Sequence, residues 1–114
     1  MIRMTRAGAP GCVPRWAMIV GVLYLELALS ASESLKDKRQ VVKSLLARVR
    51  NQFNVAAAEV DLLDRRQLAG LGFTCVSNDG RHAEQVLRNV LAFVESTRLE
   101  AEVTDYSVEI IPMS

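Results

Sequence analysis

Polar and apolar residues alternate along four segments of the chain, and apolar residues recur at helical spacing in two segments between them. Alternation with a period of two is typical of a strand with one buried face, whereas recurrence at i, i+3, i+4 and i+7 indicates an amphipathic helix. The predicted strands cover 19–29, 54–60, 68–77 and 101–111. The predicted helices begin at the cap signals Ser34 and Ser77-Asn78-Asp79-Gly80, and end near 52 and 97.

The resulting order of elements is β-α-β-β-α-β. It is the order of the ferredoxin-like split βαβ fold, an α+β fold in which two helices cover one face of a four-stranded antiparallel sheet. The 114 residues, half of them apolar, fit one domain that needs neither disulfide nor metal to bury a core. We therefore predict a single domain over 18–114.

The first predicted helix has an apolar stripe and a basic flank. The stripe consists of Val42, Leu45, Leu46, Val49 and Phe53. At 100° per residue, four basic residues lie within about 60° of one another on another side of the helix. We call this set the basic ridge: Lys36, Arg39, Lys43 and Arg50. Lys38 projects toward the stripe, but in the first turn its long side chain can lean back to reach solvent or a ligand.

One face of the predicted sheet is left open by the two helices. On the third strand, Gly70, Gly72, Thr74 and Val76 point to this side, while Leu71, Phe73 and Cys75 point to the core. The small residues predict an unusually flat strip that admits a partner. Beside it, Val20, Val22 and Tyr24 of the first strand are predicted to form the interface of a homodimer.

Charge is distributed unevenly along the chain. The formal net charge is +1, but Arg3, Arg6 and Arg15 precede residue 18, and residues 18–114 carry eleven basic and thirteen acidic side chains. Six of the eleven basic residues fall between Lys36 and Arg50, whereas acidic residues gather near the C-terminus. This layout favours a local anionic ligand over nonspecific coating of nucleic acid.

The N-terminal region imitates a secretory signal, because the arginine-bearing residues 1–15 precede an apolar stretch, Trp16 to Leu29, and a step of small residues, Ala28-Leu29-Ser30-Ala31. Glu26 interrupts that stretch, and the leucines around it alternate as in a strand. No stretch approaches the ~20 apolar residues of a membrane span. We therefore predict that 1–17 is a disordered extension or a mis-assigned start, that Met18 is the natural first residue, and that no membrane is a partner.

Catalytic and metal-binding patterns are missing from the sequence. There is no P-loop, no G-x-S-x-G and no H-x-x-x-H, and His82, the one histidine, reads as a first-turn helix residue. Cys12 and Cys75 are isolated in sequence, which favours a reduced, cytoplasmic protein. Glu59 and Asp61 are predicted to share one strand face, as solvated acids or as partners of the basic ridge. We expect no enzymatic activity, no cofactor and no metal.

Five segments of the chain form a recognisable set: Gly21 to Leu27, Glu33-Ser34-Leu35-Lys36-Asp37-Lys38-Arg39, Phe53-Asn54-Val55, Glu59-Val60-Asp61 and Val76-Ser77-Asn78-Asp79. Together they resemble the bacterial YlxP-like family, also described as domain of unknown function 503. The S-L-K-[DE]-K-R pattern is the most specific of them, and the resemblance covers nearly all of 18–111. It implies a ferredoxin-like fold and a gene neighbourhood often shared with translation initiation and ribosome maturation genes, without an established activity. Many members have an aromatic residue where this chain has Arg66.

These observations leave three classes of function. The first is an RNA- or ribosome-associated binding protein whose basic side chains contact phosphates. Its predicted contacts are Lys36, Lys38, Arg39, Lys43, Arg50, Arg65 and Arg66. The second is a dimeric protein-interaction or structural module whose charged helix face is merely solvated. The third is a small-ligand or enzymatic role. Within RNA binding, Tyr24 and Phe73 loosely echo the two base-stacking motifs of the RNA-recognition motif.

Overall fold

The predicted order of strands and helices is confirmed by a computed structural model, which describes residues 16–97 and 101–113. In chain order the elements are β1 (Ile19–Ala28), α1 (Leu35–Gln52), β2 (Ala56–Asp61), β3 (Leu68–Ser77), α2 (Gly80–Ser96) and β4 (Glu102–Pro112). The strands form one antiparallel sheet in the order β2-β3-β1-β4, with both helices on one face. This is the predicted α+β, ferredoxin-like arrangement.

The core lies between the helices and the leucine face of β1. Leu23, Leu25 and Leu27 are almost completely buried. The inward-facing apolar residues of the two helices are buried against them: Val42, Leu45, Leu46 and Val49 of α1, and Ala83, Leu87, Val90, Leu91 and Val94 of α2. Gly21 lets α2 approach this strand closely, because a Cβ there would lie 2.8 Å from Leu87 Cδ1. The alternation seen in the sequence therefore corresponds directly to the two faces of the sheet.

Strand β2 differs from its prediction in position and in regularity. It begins at Ala56 rather than at residue 54, and its pairing with β3 shifts between Glu59 and Asp61. Glu59 pairs with Leu71, which points into the core, whereas Asp61 pairs with Gly70, which points to the open face. The prediction that these two acids share a face is wrong, because a β-bulge at this point reverses the alternation.

The predicted N-terminal extension falls mostly outside the described residues, which begin at Trp16. Trp16 itself is 54% exposed. Within 16–97 and 101–113, neither helix is long and apolar enough to cross a membrane.

Candidate functional site

The N-terminus of α1 is fixed by the cap that the sequence predicted. Ser34 has an extended backbone, and its hydroxyl accepts a hydrogen bond from the Asp37 amide at 3.1 Å. The Asp37 carboxylate in turn accepts from the Glu33 amide at 3.3 Å. Asp37 is the one acidic residue of α1, and it interacts with backbone amides. The Asp37 carboxylate is therefore held by the cap, at the start of a helix that carries six basic residues.

The basic ridge lies on the flank of α1 that borders the edge strand β2. All four of its side chains are exposed. Arg50 donates a hydrogen bond to the Ala57 carbonyl of β2 at 2.8 Å. On the opposite flank, Arg48 lies over the Phe93 ring of α2, 5.6 Å from its centroid. In the described part of the chain, Lys36, Arg39 and Lys43 make no ion pair or side-chain hydrogen bond.

Lys38 lies apart from this ridge, in the core. Its side chain is fully buried, with an exposed fraction of 0%. The ammonium donates to three backbone carbonyls, those of Leu62 at 2.9 Å, Leu63 at 3.1 Å and Leu68 at 3.2 Å. It also forms an ion pair with Glu59, whose Oε2 lies 2.9 Å from Nζ. The expectation that Lys38 reaches solvent or a phosphate is wrong in this structure, because the core encloses its charge.

Four acceptors surround the three protons of the Lys38 ammonium. Glu59 Oε2 is buried and accepts no hydrogen bond, although it is 2.9 Å from Nζ, since the protons serve the three carbonyls. The carboxylate therefore contributes through charge rather than through a fourth hydrogen bond. Leu62 has a left-handed backbone with φ of 58°, and its carbonyl and that of Leu63 both contact the same ammonium. We call this arrangement the lysine clamp.

The lysine clamp ties the loop after β2 to the first turn of α1. This loop, residues 62–67, carries Arg65 and Arg66, which are both exposed. It is also held by the Leu29 amide, which donates to the Gln67 carbonyl at 2.8 Å. Arg65 and Arg66, which were both predicted to contact phosphates, thus lie on a loop that adjoins α1. The structure records no direct contact between these two arginines and the basic ridge.

The open face is centred on Tyr24 and is less flat than predicted. The Tyr24 hydroxyl donates to Glu26 Oε1 at 3.0 Å and lies 3.4 Å from Asp61 Oδ2. It passes over Gly70, where a Cβ would be only 2.7 Å from the hydroxyl oxygen. Val60 covers Gly72 in the same way. Neighbouring side chains of the same molecule therefore occupy the strip over these two glycines.

Burial and the two neighbouring carboxylates raise the pKa of Tyr24 to about 12. We predict that the phenol absorbance of the wild-type protein minus that of Tyr24→Phe titrates with a midpoint near 12. Because the folded state holds this proton more tightly than the unfolded chain, its contribution to stability is complete below about pH 10 and is lost as the pH rises toward about 12. A midpoint near the ordinary value of about 10 would contradict the contacts around Tyr24.

The two aromatic residues that echoed base-stacking motifs lie on opposite faces of the sheet. Phe73 is a core residue with an exposed fraction of 1%, whereas Tyr24 is on the open face. Tyr24 is moreover flanked by carboxylates, which repel phosphates. The geometry therefore does not provide the stacking platform of an RNA-recognition motif.

The described residues include one cysteine and one histidine. Cys75 is buried under α2, and burial raises the pKa of its thiol. His82 is exposed in the first turn of α2, as the sequence indicated. Within 16–97 and 101–113, no three side chains of the types that ligate metals come together.

Sequence reasoning missed the lysine clamp, although a signal was present. Lys38 lies four residues before Val42 and seven before Leu45, at the start of the same apolar stripe. A lysine at a core position needs a buried acid, and Glu59 was available on a strand predicted to be next in chain order. Assigning Lys38 to the apolar stripe would have predicted an ion pair between Lys38 and Glu59.

Comparison with known proteins gives two matches. Residues 20–108 match the family described as Protein of unknown function (DUF503). The chain is also similar to the Uncharacterized protein YlxP of Bacillus subtilis (strain 168), with 37% identity over 78 residues. That alignment covers 68% of this chain and 85% of the relative.

Proposed function

The chain belongs to the DUF503 family of proteins of unknown function, and we propose that it is an RNA-binding or ribosome-associated protein that contacts phosphates through the basic ridge of α1. The observation that carries this proposal is the set of four exposed basic side chains on one flank of one helix. The proposal includes a cytoplasmic location and a binding role without catalysis.

Separation of charge between the elements supports the proposal. Helix α1 contains six basic residues and one acid, whereas none of the four strands contains a lysine or an arginine. The ridge extends over fifteen residues of helix, from Lys36 to Arg50, and its ends are about 21 Å apart at a rise of 1.5 Å per residue. A face of this length can follow several consecutive phosphates, and its positive charge is not cancelled by an ion pair in the described part of the chain.

The loop after β2 adds to the same surface in this proposal. The lysine clamp fixes the loop against α1, and its two exposed arginines, Arg65 and Arg66, extend the positive charge beyond the first turn of the helix. Four ridge side chains and two loop side chains therefore give up to six phosphate contacts. Lys38 is not among them.

Binding to RNA should be strongly salt-dependent. With four to six phosphate contacts, the logarithm of the association constant should fall with the logarithm of salt concentration with a slope of about −3 to −4 for single-stranded RNA. Fluorescence anisotropy of a labelled single-stranded RNA and of an RNA duplex, from about 50 to about 300 mM salt, measures this slope.

The alternative is a dimeric protein-interaction module without nucleic-acid binding. Self-association through Val20, Val22 and Tyr24, which lie together on the open face, stays a prediction. Absence of RNA binding at the lowest salt concentration, or an affinity that salt does not change, would favour this alternative and contradict the proposal.

A further inference from the structure

Among the described residues, the strands carry acidic residues and no base on the open face of the sheet. By strand register, five acids point to this side: Glu26 of β1, Asp61 of β2, and Glu102, Asp105 and Glu109 of β4. Glu26 and Asp61 both lie opposite Gly70, and Asp105 lies opposite Glu26, so that Asp61, Glu26 and Asp105 form one row across all four strands. We call these three residues the acidic row.

No cationic side chain pairs with the acidic row in the described part of the chain, although the amides of Leu62 and Tyr106 donate to Asp61 and Asp105, each at 2.9 Å. Glu26 and Asp105 are directly opposite on neighbouring strands, an arrangement of like charges that destabilises a sheet. None of the three carboxylates forms an ion pair among the described residues. The Tyr24 hydroxyl donates to Glu26, but it is neutral and supplies no positive charge. A cation brought by a partner would relieve this repulsion.

The opposite end of the same face is apolar. Val20 lies between Val76 of β3 and Ile111 of β4, and the exposed fractions of Val76 and Ile111 are 68% and 38%. This apolar row is six residues from the acidic row along β1, which corresponds to about 20 Å. Exposed valine and isoleucine beside a polar rim are typical of a protein-binding surface.

Together these features select the kind of partner. RNA is disfavoured, because its phosphates would meet the carboxylates. Pairing of the whole face with a second copy is also disfavoured, since the described strands of each copy would bring five carboxylates and no base to the interface. We infer that the open face binds a lysine- or arginine-bearing amphipathic segment of another protein, with its cations on the acidic row and its apolar side chains on the apolar row. This inference stands independently of whether the basic ridge binds RNA.

A defined peptide pair tests the inference on the full chain. The probe is a helix-forming peptide of about fourteen leucines and lysines in amphipathic order, and its counterpart has glutamate in place of every lysine. We expect the lysine peptide to shift the amide NMR signals of β1 and β4, and the glutamate peptide to leave them unchanged. Shifts confined to the helices would overturn the inference.

Two matched variants test whether the lysine peptide binds this face specifically or is attracted to acidic residues in general. Glu26→Gln with Asp105→Asn and Glu109→Gln removes three charges from the face, whereas Glu33→Gln with Asp64→Asn and Glu95→Gln removes three exposed charges elsewhere. The first variant should weaken binding of the lysine peptide at least about tenfold, and the second less than about threefold. Equal weakening would contradict the inference.

Two further outcomes would assign the face to another occupant. A wild-type dimer in sedimentation equilibrium that Tyr24→Glu dissociates would show that the face belongs to a second copy. RNA that shifts the same β1 and β4 signals would assign it to nucleic acid. Either result would overturn the inference.

Discussion

Replacing Lys38 with methionine should lower the free energy of unfolding by about 3–5 kcal/mol, although methionine nearly preserves the volume of the side chain. The change removes the Lys38 donor from the carbonyls of Leu62, Leu63 and Leu68 and leaves the buried charge of Glu59 without a partner; the Leu62 carbonyl still accepts from the Arg65 amide at 3.0 Å. In a domain of this size, each kcal/mol corresponds to a drop in melting temperature of about 4–8 °C. Urea and thermal unfolding followed by circular dichroism measure both quantities.

Three variants identify which lost interactions lower the free energy of unfolding of Lys38→Met. Lys36→Met removes an exposed charge from the same turn and should change stability by less than about 0.5 kcal/mol. Glu59→Gln should destabilise less than Lys38→Met, because Lys38 keeps its three carbonyls. Lys38→Met combined with Glu59→Leu should recover part of the loss, since it removes the buried carboxylate but does not restore the hydrogen bonds that Lys38 donates to the carbonyls. If Lys38→Met were as stable as Lys36→Met, the lysine clamp would not hold the fold.

Most of the fold could be predicted because local signals and burial agree in this sequence. The leucines of β1 alternate and are buried, and the stripe of α1 recurs at helical spacing and is buried. The predicted cap residue, Ser34, accepts a hydrogen bond from the Asp37 amide. Where one face of each element is apolar and the other is polar, register and packing follow from pattern alone.

The departures arise where side chains from distant segments meet. The β-bulge that separates Glu59 from Asp61 has no signature in local alternation, since an added residue is visible only against the partner strand. Lys38 was misplaced because its four partners come from residues 59–68, far along the chain. The glycines of β3 suggested an open strip, whereas Tyr24 and Val60 cover it.

The candidate site could likewise be predicted only in part. The exposure of the basic ridge could be predicted, because helical periodicity places these residues away from the stripe. The separation of positive charge on α1 from negative charge on the open face could not, because it depends on strand register and on the side of the sheet that the helices cover. If the protein binds phosphates, as proposed, this separation favours the ridge over the sheet as their surface.

Charge reversal on the ridge should largely abolish RNA binding while the fold survives. The variant replaces Lys36, Arg39 and Lys43 with glutamate, and each side chain is exposed and makes no ion pair in the described part of the chain. Exposed substitutions of this kind usually change stability by less than about 0.5 kcal/mol each. Each lost phosphate contact should flatten the salt slope by about one unit.

A second triple variant has the same net charge and leaves the ridge intact. It replaces Arg48, Arg81 and Arg88 with glutamate; Arg48 lies on the opposite flank of α1, and the other two lie on α2. Its unfolding must be checked alongside, because Arg48 contacts Phe93 and Arg88 pairs with Glu84. If RNA responds only to net charge, the two variants should lose affinity equally.

The most direct test of phosphate binding by the ridge is therefore the salt slope of RNA affinity, measured by fluorescence anisotropy for the wild-type protein and both triple variants. We predict that the ridge variant flattens the slope by about two to three units, whereas the control variant keeps the wild-type slope to within about one unit. Equal slopes for the wild-type protein and the ridge variant would contradict the proposal and place any RNA contact on another surface.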